Sequence, residues 1–207
     1  MPLFRRPLEI IRADLRPLLV LNAVAFGLFL VGCVLGLVFP DLVQAQQADF
    51  DASGQTDLVL QVFQNPWLFA LVILAVNTLT VGAAMIVLPS MVVPFLGIPL
   101  FAYKALTIGI SIVPTTPTLW VAFIPHSLTL VIEFEAYVLL MLGAWILGRS
   151  WLRPATTGAT TRRQGYLRGL QRLGWLGLAA LVLLVVGAAW EAWSLTQLFP
   201  WLVHVLL

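Results

Sequence analysis

Long apolar runs divide this chain, and most polar positions fall between them. Leu18 to Phe39 is apolar throughout. A run of that length fits a helix crossing a hydrocarbon core about 30 Å thick, which takes about 20 residues. It exceeds the roughly 7–15 residues of a signal-peptide core, so the "VQA" at Val43 to Ala45 is read as part of an uncleaved chain. Trp67 to Leu88 forms a second run, with Asn77 near its middle. The third covers 90–113, carries Lys104, and meets Pro89, Pro94 and Pro99 in its first half. Each proline removes a helical donor and clashes with the preceding turn, which predicts a broken or kinked passage. Thr118 to Gly148 is too long for one span, since 31 residues as a helix reach about 46 Å. Pro125 predicts a division there, into a short re-entrant or interfacial piece, Leu119 to Ile124, and a span over 126–148. Leu173 to Trp193 gives a fifth span. The tail 194–207 contains Pro200 and is too short to cross. It is predicted to lie at the interface, where Trp193 and Trp201 fit, with a sixth crossing as the alternative.

The polar segments fix an expected orientation. Residues 1–17, "MPLFRRPLEIIRADLRP", carry Arg5, Arg6, Arg12 and Arg16, with Leu8, Ile11 and Leu15 at helical spacing. This is either an amphipathic helix on the membrane surface or a basic flank that sets orientation. The loop 40–66 holds four aspartates and no Lys or Arg, and its end, Leu58 to Phe63, has the character of an interfacial helix. The loop 149–172 holds Arg149, Arg153, Arg162, Arg163, Arg168 and Arg172 and no acid. Lysine and arginine excess marks the cytoplasmic side, so the N-terminus and 149–172 are placed inside and 40–66 outside. Residues 18–207 then form a single transmembrane domain, an all-α polytopic helix bundle of about five spans.

Composition agrees. Of 207 residues, 61% are apolar and only 10% charged, against about 25% charged in soluble domains, and the mean hydropathy is +1.01. The lone Cys33 forms no intrachain disulfide, and no Cys/His zinc spacing is present. H-E-x-x-H, paired-aspartate and P-loop motifs are missing, as is a Ser or Cys nucleophile spaced to a histidine. A haem held by His126 and His204 has no other support. No enzyme activity, cofactor or metal is expected. The basic loop is explained by topology rather than by nucleic acid.

What stands out is charge inside apolar runs. "IPHSLTLVIEFEAY" places His126, Glu133 and Glu135 in the fourth run, where a carboxylate costs about 2.5–3.5 kcal/mol on insertion scales. Residues seven apart nearly superpose on a helix. His126, Glu133, Leu140 and Leu147 therefore share a line, flanked by a small-residue line of Thr129, Ala136 and Gly143. In the fifth span Gly177, Leu184 and Glu191 align beside Ala180, Gly187 and Ser194. Small residues let helices approach closely in lipid, so Ala136, Gly143, Gly177, Ala180 and Gly187 are packing seams. Glu133 and Glu191 fall at similar depth, with His126, Lys104 and Asn77 as their candidate partners. Glu135 lies about 160° from Glu133 and faces elsewhere. Glu191, between Trp190 and Trp193, equally fits a headgroup-level position, and His126 after Pro125 fits a helix start.

Two stretches carry a family resemblance. "PHSLTLVIEFEAYVLLMLGAWILGRSWLRP" has Glu133 and Ala136 in a Glu-x-x-Ala step, and "LVVGAAWEAWSLTQLFP" has Glu191 and Ala192 followed by Pro200. This resembles the stage II sporulation protein M family of prokaryotic membrane proteins over roughly residues 60 to 200. That family's pattern opens with His-Gly three residues closer to the glutamate. Here Thr129 holds the histidine position, and Ser127 follows His126. The resemblance implies a bundle of about five helices in the prokaryotic cytoplasmic membrane, without catalytic machinery. In spore formers the named member works with peptidoglycan-cleaving partners during engulfment, a role that does not carry over by family alone. The expected function is a non-enzymatic scaffold or accessory subunit. Its partners would be the lipid bilayer and other membrane subunits or further copies of itself. The alternative is a channel or permease-like transport component, suggested by discontinuous helices near polar residues. The discriminating feature is whether Glu133, Glu191 and Lys104 line a cavity or sit in a sealed core.

Overall fold

A computed structural model describes residues 2–52, 62 and 65–207, and no strand occurs among them. Helix α1 is Pro2–Ala13 and α2 is Leu15–Val38, with Asp14 between them. Helix α3, Pro40–Ala52, occupies sequence predicted as loop. The Leu58 to Phe63 segment lies outside the described residues except for Val62. Helix α4, Pro66–Val92, begins with Pro66 at its first position, where a missing N–H is no loss. The Asn65 side chain accepts from the backbone N–H groups of Trp67 and Leu68 at 3.1 and 3.2 Å. From Asn77 to Val87 this helix widens into π-type turns.

The third passage is broken, at 93–96, where Phe95 takes a left-handed φ of 69°. Pro94 sits in that break. Pro89 and Pro99 do not break a helix. Pro99 lies in the first turn of α5, Gly97–Ser111, where it removes no intrahelical donor. The Ser90 hydroxyl accepts from the N–H of Gly97 across the turn at 2.9 Å.

Two expectations are corrected at the next helices. Helix α6, Pro117–Leu152, runs for 36 residues straight through Pro125, so there is no re-entrant piece over 119–124. One proline removes one donor, and neighbouring groups can absorb that loss in a packed bundle. Thr116 caps the start by accepting from Leu119 N–H at 3.3 Å. Helix α7 is Arg162–Leu206, so the tail 194–207 is a continuation of the helix through π-type turns at Ser194–Leu198, not a separate interfacial piece. Pro200 falls just past those turns, inside the continuous helix, where it removes one helical donor. The basic loop also shrinks. Arg149 belongs to α6 and Arg162 to Arg172 belong to α7, joined by a short 3-10 turn, Pro154–Thr157, and Gly158 at φ 66°.

Four helices are long and apolar enough to cross a membrane: α2, α4, α6 and α7. Helix α5, at 15 residues, is shorter. In α6, 72% of the most apolar window is buried, against 17% in α2 and α4 and 33% in α7. Helix α6 is therefore the central post, and the others turn apolar residues such as Leu30, Leu71 and Val186 outward. Outward-facing apolar surface of this extent is stable only against lipid, and the chain is a multi-pass membrane protein. Phe134 anchors the core, with ring centroids of Phe26, Phe29 and Phe101 at 5.3, 5.4 and 5.6 Å.

Glycines set the closest helix approaches. A Cβ on Gly32 of α2 would meet Gly109 Cα of α5 at 3.0 Å as well as the Leu106 carbonyl oxygen, and one on Gly109 would strike the Phe29 carbonyl oxygen. Helices α6 and α7 form an antiparallel hairpin. Gly143 receives Leu173, Gly169 receives Leu147, and Gly165 abuts the Ser150 carbonyl. At this end of the bundle Arg149 donates to both carboxylate oxygens of Asp14, at 2.7 and 3.1 Å. Asp14 is 6% exposed, so the pair fixes the α1–α2 junction to the end of α6.

Candidate functional site

Glu133 lies midway along α6, sixteen residues from Pro117 and from Arg149, about 24 Å along the axis from each. That depth falls within a hydrocarbon core about 30 Å thick when Arg149 is at its boundary. Asn77, where α4 begins its π-type turns, donates its side-chain N–H to Glu133 Oε1. Wide turns of this kind recur at functional positions because they shift side chains out of helical register. Among the described residues Asn77 is the one side chain recorded as donating to Glu133. A carboxylate offers about four acceptor positions, so most of its capacity is left open.

His126 Nδ1 lies 3.2 Å from Glu191 Oε1, with the two side chains 26% and 14% exposed. His126 is thus nine residues inside α6 and bridges to α7; it does not start a helix. From the adjacent residues, Trp190 Nε1 donates to the Pro125 carbonyl at 3.1 Å. The proline expected to break the helix instead sits beside a link between helices.

These residues share one space. Asn77, Lys104, His126, Glu133 and Glu191 line a cavity of about 510 Å³ bounded by α3, α4, α5, α6 and α7. Gln47, exposed on α3, forms part of its rim. An adjoining cavity of about 210 Å³ shares Gln47, Ser111 and His126 with it. Lys104 makes no ion pair within 4 Å among the described residues. Toward the Arg149 end the space gives way to packed aromatics, Tyr137 and Phe101 with centroids 5.0 Å apart, both at most 2% exposed. Lys104 and both acids stand on the wall of this cavity.

Glu135 is not part of this group and turns toward Asn22 of α2. The predicted seams are present as contacts. Gly187 faces the Glu133 side chain, with Glu133 Cγ 3.4 Å from where its Cβ would be. Ala136 and Ala180 are fully buried, and Gly177 meets only Leu140, at 3.9 Å. No group of three or more His, Cys, Asp or Glu among the described residues is placed to hold a metal ion. Sequence reasoning missed the Asp14–Arg149 pair, the close approach of Gly32 to Gly109 and of Gly36 to Ile110, and the part played by Gln47. The Gly-x-x-x-Gly spacing of Gly32 and Gly36 was a readable signal.

Comparison with protein families matches residues 25–194 to the description of stage II sporulation protein M. The chain belongs to the stage II sporulation protein M family. No curated protein and no solved structure matches the chain. The stage II sporulation protein M region contains the whole charged group, from Asn77 to Glu191, and leaves out α1 and Asp14. The Thr129 side chain is fully buried and its hydroxyl has no hydrogen-bond partner among the described residues. His126, one turn earlier, is the residue that reaches Glu191.

Proposed function

We propose that this member of the family is a non-enzymatic transport component of the prokaryotic cytoplasmic membrane, with the polar cavity as its solute- or proton-handling site. The supporting observation is the grouping of Lys104, Glu133 and Glu191 around one space of about 510 Å³ in the half of the hydrocarbon core away from Arg149. Ionisable side chains in that position are costly, and they persist where a pathway or a ligand needs them. Two carboxylates face one ammonium and an imidazole, a lining suited to a proton or to a small solute carrying a positive group. In this reading the N-terminus and the Arg149–Arg172 end are cytoplasmic, since the arginines collect there. Residues 18–207 act as one transmembrane domain alongside other subunits or copies of the chain.

A second reading, the membrane scaffold or accessory subunit, is favoured by a different observation. Asn77–Glu133 and His126–Glu191 join α4, α6 and α7 pairwise, as interhelical struts would. Lys104 separates the two readings because it has no ion-pair partner among the described residues. A charge held for function lowers stability, and its removal raises it. Thermal unfolding of purified Lys104→Met is expected above that of the parent protein. A fall in unfolding temperature would make Lys104 a strut and return the function to the scaffold.

A further inference from the structure

The opposite end of the bundle carries a second polar space that the transport reading does not use. A cavity of about 360 Å³ lies between α1 and α7, lined by Arg6, Glu9, Gln171, Arg172 and Trp175. Its two walls are held in place independently of any ligand. Ile10 and Ile11 of α1 pack onto the core, and the Asp14–Arg149 pair pins the end of α1. Arg172 and Trp175 are one turn apart on α7, so they present together on one face.

The charges in this space are unevenly matched. Glu9 is taken by Arg5 at 3.1 Å, while Arg6 stands 3.9 Å from it, beyond hydrogen-bond length. Arg172 has no ion-pair partner among the described residues. Two arginines lining one groove from α1 and α7 supply the guanidinium donors suited to planar, paired recognition of phosphate oxygens. The setting adds the rest of the chemistry. Trp175 is an amphipathic ring beside the arginines, the residue type found at headgroup level. Leu178 and Leu181, farther along α7, expose apolar surface for acyl chains. Basic pockets between helices at this level bind acidic headgroups.

We propose that the α1–α7 groove is a binding site for the phosphate group of an acidic membrane phospholipid, held between Arg6 and Arg172 with its glycerol end against Trp175. Glu9 then faces the polar end of the headgroup and favours one that carries hydroxyl donors. Bound lipid joins α1 to the bundle and makes the N-terminal helix sensitive to the charge of the surrounding leaflet.

The test uses the full chain purified in mild detergent, with phosphatidylglycerol, phosphatidylcholine or inorganic phosphate added, and counts retained lipid by native mass spectrometry. The parent protein is expected to retain phosphatidylglycerol over phosphatidylcholine. Arg6→Gln with Arg172→Gln is expected to weaken that retention about thirtyfold. Arg6→Gln alone should show a share of the loss without a folding defect, because its side chain is 66% exposed. Equal retention by the parent and by Arg6→Gln with Arg172→Gln overturns the proposal. So does displacement of the lipid by inorganic phosphate at equal concentration, which would make the ligand a soluble phosphate.

Discussion

Glu133 links helices and lines the cavity at the same time. Its carboxylate receives one hydrogen bond from Asn77 and lies over Gly187, so it links three helices while facing a cavity. Interhelical hydrogen bonds in membranes are worth about 0.6–2 kcal/mol. Glu133→Leu should therefore lower stability by that amount in thermal or steric-trapping measurements, and Glu133→Gln, which keeps the acceptor, should not. A site role adds that Gln removes function while the fold is retained, since a proton or a positive group needs the carboxylate. At the other end, Asp14 is nearly fully buried against Arg149. Removing one partner of a buried pair leaves an uncompensated charge. Arg149→Leu should cost about 3 kcal/mol, at the low end of the range for buried pairs because the Arg149 side chain is 28% exposed. Chemical denaturation of the variant reads this directly.

At the scale of elements, glycine contacts decide how closely helices approach. A side chain at Gly109 has backbone of α2 in its way, whereas Gly27 and Gly174 have nothing within 4 Å. Gly109→Ala should cost about 1–3 kcal/mol by overpacking, while Gly27→Ala should stay within about 0.5 kcal/mol. The spans were legible from the long apolar runs, but their ends were not: Asn65 with Pro66, Thr116 with Pro117, and Thr161 cap helix starts, and the last two lie well before the starts read from the apolar runs. Proline was the misleading signal. Pro94 falls where the chain turns, but Pro125 and Pro200 lie in continuous helix. A proline costs one donor and some strain, and the packing of neighbouring helices, invisible from local sequence, decides whether that breaks an element. The extension of α7 past Trp193 was hidden for the same reason, with Ser194 fully buried and the following turns widened.

For the molecule as a whole, the charged group was legible because charge inside apolar runs has no cheap structural explanation. Asn77, Lys104, His126, Glu133 and Glu191 do come together. The Asp14–Arg149 pair was not legible, because both residues lie in basic flanks whose charge topology already explains. Gln47 was hidden in a segment read as a loop. Gly187 lies beside Glu133, a pairing the seven-residue lines left open, because they set the face of each helix and not which residues of two helices meet. The proposed orientation rests on the arginine end, and it predicts that Ala45→Cys and Thr157→Cys in a Cys33→Ser background label from opposite sides with a membrane-impermeant thiol reagent. The central claim is that Lys104, Glu133 and Glu191 are held in the membrane because they line a water-reached space. It is tested most directly by the same reagent on Lys104→Cys in that background. The account predicts modification from the Ala45 side, slower than at Ala45→Cys but complete. A folded Lys104→Cys protein that stays unmodified while Ala45→Cys reacts fully would contradict it.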